Sequence, residues 1–219
     1  MGCFFYWMKE PIPALFLQIK ETAGCCRTTI EKRLEMNRMH ADYWTGPRVK
    51  LRPAALKDAL LFYKWGQDEE TARGCDRIHF PSSLEQAEDW VRREAGRMGD
   101  LYRWVIENRE GHAVGTIHTF ECDRRNGTFK YGLSIDRDFW GQGYAQDSIR
   151  LVLKYYFMEL GYQKVTPHVY EFNERSIRLH VKLGFQLEGR LRSMLYSNGQ
   201  HYDELHFGLT RDEFAVIHS

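Results

Sequence analysis

Gly141 and Gly143 stand in the run Trp140-Gly141-Gln142-Gly143-Tyr144-Ala145, between a strand-like stretch ending near Ile135 and a long helix-like stretch. Two glycines at a strand-to-helix turn let several backbone N–H groups point outward together, and the helix N-terminus behind them adds partial positive charge. Such a turn suits a pyrophosphate. Position 146 is Gln146, so G-x-G-x-x-G is not completed, and no G-K-[ST] follows for a P-loop. Further along, Asn173 is placed to cap a helix, with Ser176 at its third position and His180 one turn on. These polar groups share one wall, and an imidazole with an ordinary pKa of about 6.5 holds or passes a proton near neutrality. Taken separately, the glycines also fit a structural loop–helix junction, and the helix fits a cap plus a surface histidine. Ile177, Val181 and Phe185 are the residues of that segment expected to face a sheet.

The surrounding periodicities say what must position these groups. A strand over 49–52 precedes helices over 57–65 and 84–97, the second opened by Ser82 or Ser83. Strands follow over 104–107, 113–120 and 128–135, joined by turns carrying Gly111 and Asn126-Gly127. Residues 143–160 read as a long helix with Ala145, Ile149, Val152, Leu153, Tyr156 and Leu160 on one stripe. A strand over 164–170 and a helix over 174–183, closed by Gly184, lead to a hairpin of 185–195 and 201–209 across Ser197-Asn198-Gly199. This order predicts a mixed α/β sheet with antiparallel parts rather than a doubly wound dinucleotide fold.

Composition narrows the function classes. The 219 residues carry 31 Lys+Arg against 30 Asp+Glu, so attraction to a phosphate backbone is a poor driver and no nucleic-acid partner is expected. Cys3, Cys25, Cys26, Cys75 and Cys122 lack zinc-type spacing; no metal is expected, and the thiols suit a reducing compartment. No apolar run approaches the ~20 residues of a spanning helix. The greasy start is interrupted by Lys9, Glu10 and Pro11, has no basic n-region, and carries Tyr6 where a myristoylation signal wants Ser or Thr. The expectation is a cytoplasmic chain with no membrane partner. Residues 1–45, with Pro11, Pro13 and a helix-like 28–39, read as an N-terminal extension: a dimerisation arm or lid, or a tail ahead of an internal start at Met36 or Met39. Residues 46–219 read as the domain proper.

Together the two motifs, in this order and spacing, resemble the Gcn5-related N-acetyltransferase (GNAT) superfamily. Its signature [QR]-x-x-G-x-[GA] is matched at Gly143 and Ala145, with Trp140 in the first position. Its N-x-x-S-x-x-x-Y-x-K-x-G-F pattern is matched by Asn173, Ser176, Lys182, Gly184 and Phe185, with His180 where many members have Tyr. The stretch from Gly199 to Glu204, with Phe207, Glu213 and Phe214, resembles the branch holding ribosomal-protein and spermidine/diamine acetyltransferases.

The resemblance implies a centrally splayed sheet of about six to seven strands flanked by about four helices. It implies acetyl-CoA as co-substrate and direct attack by a primary amine: a polyamine, an amino-acid or antibiotic amine, or a protein N-terminus. The cofactor would lie along Leu133, Ser134 and Ile135, on Trp140, Gly141, Gln142, Gly143, Tyr144 and Ala145, and against Asn173 and Ser176. Leu133 N–H is then the oxyanion donor, His180 the general acid, and Pro167 marks the widened gap beside the partner strand. The base is less defined: Lys130 sits where related enzymes often carry Glu, leaving Glu121 as nearest candidate. Asp68, Glu69 and Glu70, placed in the loop between the first two helices, would draw a cationic amine, or form a wet surface. Trp65, Tyr131 and Tyr170 would line the acceptor cleft or fill the core. Cys122 is the candidate for a competing covalent route. A homodimer is one assembly the resemblance allows. The rival readings are a catalytically silent acyl-CoA sensor and a nucleotide-binding protein.

Overall fold

The computed structural model describes residues 43–75 and 78–218. The expectations for residues 1–42, including the helix-like 28–39, lie outside the described residues. Strand β1 (Val49–Pro53) is followed by α1 (Ala59–Gln67), α2 (Glu69–Cys75) and α3 (Leu84–Ala95). The meander β2 (Arg103–Asn108), β3 (Ala113–Asp123) and β4 (Thr128–Ile135) leads into α4 (Tyr144–Met158). Then come β5 (Lys164–Val165), β6 (His168–Tyr170), α5 (Glu174–Lys182), β7 (Gln186–Ser197), β8 (Gln200–Thr210) and α6 (Arg211–His218). The described residues thus form an open sheet of order β1-β2-β3-β4-β5-β8-β6, with β7 on β8. Among the described strands only β4 and β5 run parallel.

Local chemistry explains most boundaries. Ser83 caps α3, accepting from Gln86 N–H while Gln86 reaches back to Ser83 N–H, a reciprocal box. Asn198 and Gly199 have φ of 50° and 80°, the paired positive angles a two-residue hairpin turn needs. The α4 stripe delivers Ile149, Val152, Leu153 and Tyr156 to the core, where Tyr156 stacks on Phe129 with ring centroids 4.4 Å apart. Leu160 lies beyond the end of α4, so it does not extend that stripe. Among the described residues the sheet has eight strands, more than the resemblance implied, and six α-helices rather than about four flank it. The two shortest strands come from a division of the expected 164–170 strand.

Residues 43–45 belong with the folded domain rather than with the extension. The Trp44 ring lies 5.1 Å from Trp104 and 4.6 Å from Tyr155, and Thr45 bridges Lys50. Two helices were missed: α2, and α6 at the C-terminal end. In consequence Glu69 and Glu70 form the first turn of a helix instead of a loop, which suits acidic side chains near a helix N-terminus.

Candidate active site

The turn before α4 has the predicted backbone geometry. Gly141 and Gly143 have φ of 78° and 83°, the left-handed region that favours glycine. The first helical bond runs from Asp147 N–H to Gly143 O, so the amides of residues 141–146 have no backbone acceptor. These amides front a fifteen-residue helix, and Gly141 and Gln142 are exposed. Both the donors and the helix dipole favour an anion here. Tyr144 and Ala145 begin the helix; Tyr144 Oη donates to Gln142 Oε1 at 2.9 Å.

Arginines surround this turn, a feature the motif reading did not find. Arg48 Nη1 would lie 3.0 Å from a Cβ built on Gly143, and the same nitrogen pairs with buried Asp147 at 3.2 Å. Arg175 lies over the Trp140 ring, 3.5 Å from its centroid, and Arg137 is 5.7 Å from it. Trp140 Nε1 donates to Ile135 O at 2.8 Å, tying the turn to the end of β4. The departure from [QR] therefore has a local use: an indole holds a carbonyl on one side and a guanidinium on the other.

The predicted gap lies beside β4. Parallel pairing stops at Phe129 and Val165, with one further bond from Thr166 N–H to Phe129 O at 2.9 Å. On the other side, Asp136 N–H bonds Val114 O at 2.8 Å. Alternation along a strand then turns the backbone of Ser134 and Gly132 toward β3 and that of Tyr131, Leu133 and Ile135 toward the gap. Leu133 N–H thus faces the unpaired edge, as an oxyanion donor must. Ser134 N–H faces β3, which corrects its place among the expected backbone contacts. Pro167 has a different role from the one expected: its carbonyl accepts from Phe207 N–H, so its missing N–H faces β8. It divides β5 from β6, while the gap comes from the parting of β4 after Phe129.

His180 is buried, not a surface histidine, and its helix face differs from the expected one. Val181 is 60% exposed, while His180 is 5% exposed and Leu183 fully enclosed. Asn173 Oδ1 accepts from Ser176 N–H at 3.1 Å, as a cap should. His180 Nδ1 lies 2.7 Å from Ser176 O and 3.4 Å from Ser176 Oγ. A carbonyl only accepts, so Nδ1 carries the proton and Nε2 accepts from the Tyr131 hydroxyl at 2.9 Å. Burial pushes the imidazole below its ordinary value, opposed by the bond to Ser176, and burial pushes the Tyr131 phenol well up. The ring is consequently neutral at pH 7.

The remaining candidates are distributed unevenly. Glu121, at a β3 bulge with φ of 46°, is 63% exposed and pairs with Lys130 at 2.7 Å. The acidic triplet is matched by arginines: Asp68 with Arg137 at 3.0 Å, Glu69 with Arg73 at 2.8 Å, and Glu70 with Arg137 at 3.1 Å and with Arg175. Its pull on a cation is correspondingly reduced. Trp65 is buried, donating to Asp136 Oδ2 at 2.8 Å, and Tyr170 is 7% exposed on β6. Cys122 donates to Asp100 O at 3.3 Å, and burial pushes its pKa up to about 11. That thiol is a poor nucleophile. Among the described residues, no group of His, Cys, Asp and Glu is placed to hold a metal. No helix there is long and apolar enough to cross a membrane.

Known proteins share this fold. The family model described as acetyltransferase (GNAT) domain matches residues 48–186. The chain is 42% identical over 180 residues, 82% of this chain and 99% of the relative, to the SPbeta prophage-derived uncharacterized N-acetyltransferase YokL of Bacillus subtilis. It is 26% identical over 180 residues to the spermidine N(1)-acetyltransferase of Escherichia coli, covering 78% of this chain and 90% of the relative. The crystal structure of Vibrio cholerae spermidine N-acetyltransferase with CoA and spermine superposes with a TM-score of 0.70 at 19% identity, over 78% of this chain and 99% of that one. Family match, relatives and fold agree: the chain belongs to the GNAT acetyltransferases.

Proposed function

We propose that the chain transfers the acetyl group of acetyl-CoA to a primary amine, with both substrates bound together. A polyamine heads the acceptor classes, because one relative is named a spermidine N(1)-acetyltransferase. An amino-acid or antibiotic amine and a protein N-terminus follow.

The observation that carries this reading is the adjacency of two sets of backbone donors. The amides of 141–146 suit a diphosphate, and Leu133 N–H lies on the unpaired edge of the strand that leads into that turn. A thiol arm running from the first toward the second would bring its thioester carbonyl to Leu133, where one N–H meets the developing negative charge. Holding amine and thioester together supplies much of the remaining barrier reduction, up to about 7–11 kcal/mol in well-oriented systems. We assign the buried Tyr131–His180 pair to return a proton to the departing thiolate, through the phenol that the imidazole orients. Asn173 and Ser176 hold that histidine's helix in place.

Thiol release from acetyl-CoA, measured with spermidine, tyramine, kanamycin and a peptide with a free N-terminus, tests the reading. Turnover with at least one amine, together with heat on CoA titration, is the expected result. Heat without thiol release would instead make this a CoA-binding protein without transfer.

A further inference from the structure

The sheet face turned away from α4 and α5 holds ionisable side chains that the reading above leaves unused. Alternation puts Phe120 of β3, Lys130 of β4, His168 and Tyr170 of β6, and Glu204 and His206 of β8 on this face. His168 opens β6 directly after Pro167, on the strand bordering the gap. Extending the β4–β5 register sets it level with Gly132, next to Leu133. Its ring lies 6.4 Å from Phe120, 5.9 Å from Tyr170 and 6.1 Å from His206. Its Nδ1 is enclosed and has no hydrogen-bond partner. Beside it, His206 Nε2 stands 2.7 Å from Glu204 Oε1, a carboxylate only 16% exposed.

We propose that His168 is the general base that takes the proton from the attacking amine, with Glu204 and His206 as positioning residues. This rests on the acetyl-transfer reading. Helices α4 and α5 cover the other face of the sheet, and the diphosphate turn opens α4, so the amine approaches the gap from the His168 side. As the amine nitrogen bonds to the carbonyl carbon it becomes strongly acidic, and its proton passes to a ring nitrogen of His168. The C–S bond then breaks with its electron pair on sulfur, and the thiolate takes a proton from the Tyr131–His180 pair. Solvent restores that proton as His168 releases its own.

Every charged group around His168 has a sign in this scheme. Burial lowers its pKa, and Lys130 and His206 act in the same direction, while Glu204 and Glu121 oppose them. Tyr170, beside His168, and His118, stacked on Phe120 opposite Gly132 with Arg103 as its cross-strand neighbour, are further titratable groups on this face. His168 is therefore neutral at pH 7 and ready to accept a proton. Glu121, bound to Lys130, acts on the base rather than as the base.

The test follows kcat/KM against pH for acetyl-CoA with spermidine, tyramine or kanamycin, with CoA calorimetry and circular dichroism as controls on folding and binding. His168→Asn is expected to lose about 10²-fold at pH 7, to flatten the acid limb, and to keep CoA affinity. Glu204→Gln is expected to move that limb to lower pH, which a merely structural carboxylate would not do. A His168→Asn enzyme with the wild-type rate and limb overturns the assignment and leaves acetyl transfer standing. Wild-type protein that binds CoA but acetylates none of these amines removes both. Should His168→Asn not fold, Glu204→Gln decides alone, and an unmoved acid limb overturns the proposal.

Discussion

The Tyr131 hydroxyl donates to Nε2 of His180 at 2.9 Å, joining the strand that borders the gap to the helix that caps it. The direction of that bond follows from the other nitrogen, whose proton is held by Ser176 O at 2.7 Å. Phe185 and Phe207 close around the ring, with centroids 5.0 and 5.4 Å away. An imidazole so enclosed is a poor store for a proton but a good acceptor for the phenol. The one proton between the two rings is thus the phenol's, and burial makes Tyr131 hold it until a strong base such as a departing thiolate is beside it.

Tyr131→Phe should separate these roles. It leaves a buried Nε2 without a donor, which costs about 1–3 kcal/mol of stability, readable as a lower urea midpoint. If the phenol protonates the thiolate, kcat falls by about 10²-fold while CoA affinity is unchanged. An unchanged kcat would mean that solvent supplies the proton.

Gly143 and Gly141 should respond differently to alanine. Both have left-handed φ, so each substitution carries about 1–2 kcal/mol of backbone strain. A Cβ at Gly141 meets nothing, whereas one at Gly143 meets Arg48 at 3.0 Å and disturbs its pair with buried Asp147. Gly143→Ala should therefore weaken CoA binding by about tenfold or more, as 1.4 kcal/mol is a factor of ten. Gly141→Ala should weaken it less. Calorimetry with CoA orders the two.

The elements most legible in the sequence were those that local rules fix. Glycine at 141 and 143, the Asn173 cap and the Asn198-Gly199 turn each follow from conformations that few other residues adopt. The parts that were misread depend on neighbours distant in the chain. Val181 and His180 are adjacent, and periodicity favoured the apolar one for burial. Tyr131, 49 positions away, satisfies the histidine and reverses the choice. The arginines around the turn were invisible for the same reason: Arg48 meets Asp147 across 99 positions. Pro167 was legible as a missing donor, but only strand pairing says which neighbour misses it.

Cys122 allows a test of mechanism. Burial and the nearby Asp100 carboxylate hold its pKa up to about 11, leaving little thiolate at pH 7. Cys122→Ala should keep turnover, and mass spectrometry of the wild-type chain mixed with acetyl-CoA should find no acetyl-enzyme. Initial rates should intersect rather than run parallel. An acetylated Cys122 and parallel lines would establish the covalent route instead.

Stability should depend on pH through His118. Its pKa is lowered to about 3, first by burial and then by the charges of Arg103 and Arg97. A Cβ on Gly132 would overlap its ring, so the imidazole is enclosed by the sheet itself. Below about 6.5 the unfolded chain binds a proton at this site that the folded chain refuses. Stability is therefore unaffected above that pH and falls as pH drops from about 6.5 toward 3. His168 and His180, also lowered, add to the same slope. Urea midpoints at pH 7, 6 and 5 should decline in sequence, and His118→Gln should flatten the decline by on the order of 1 kcal/mol per pH unit. A variant as acid-sensitive as the wild type would show that the folded chain protonates His118 freely.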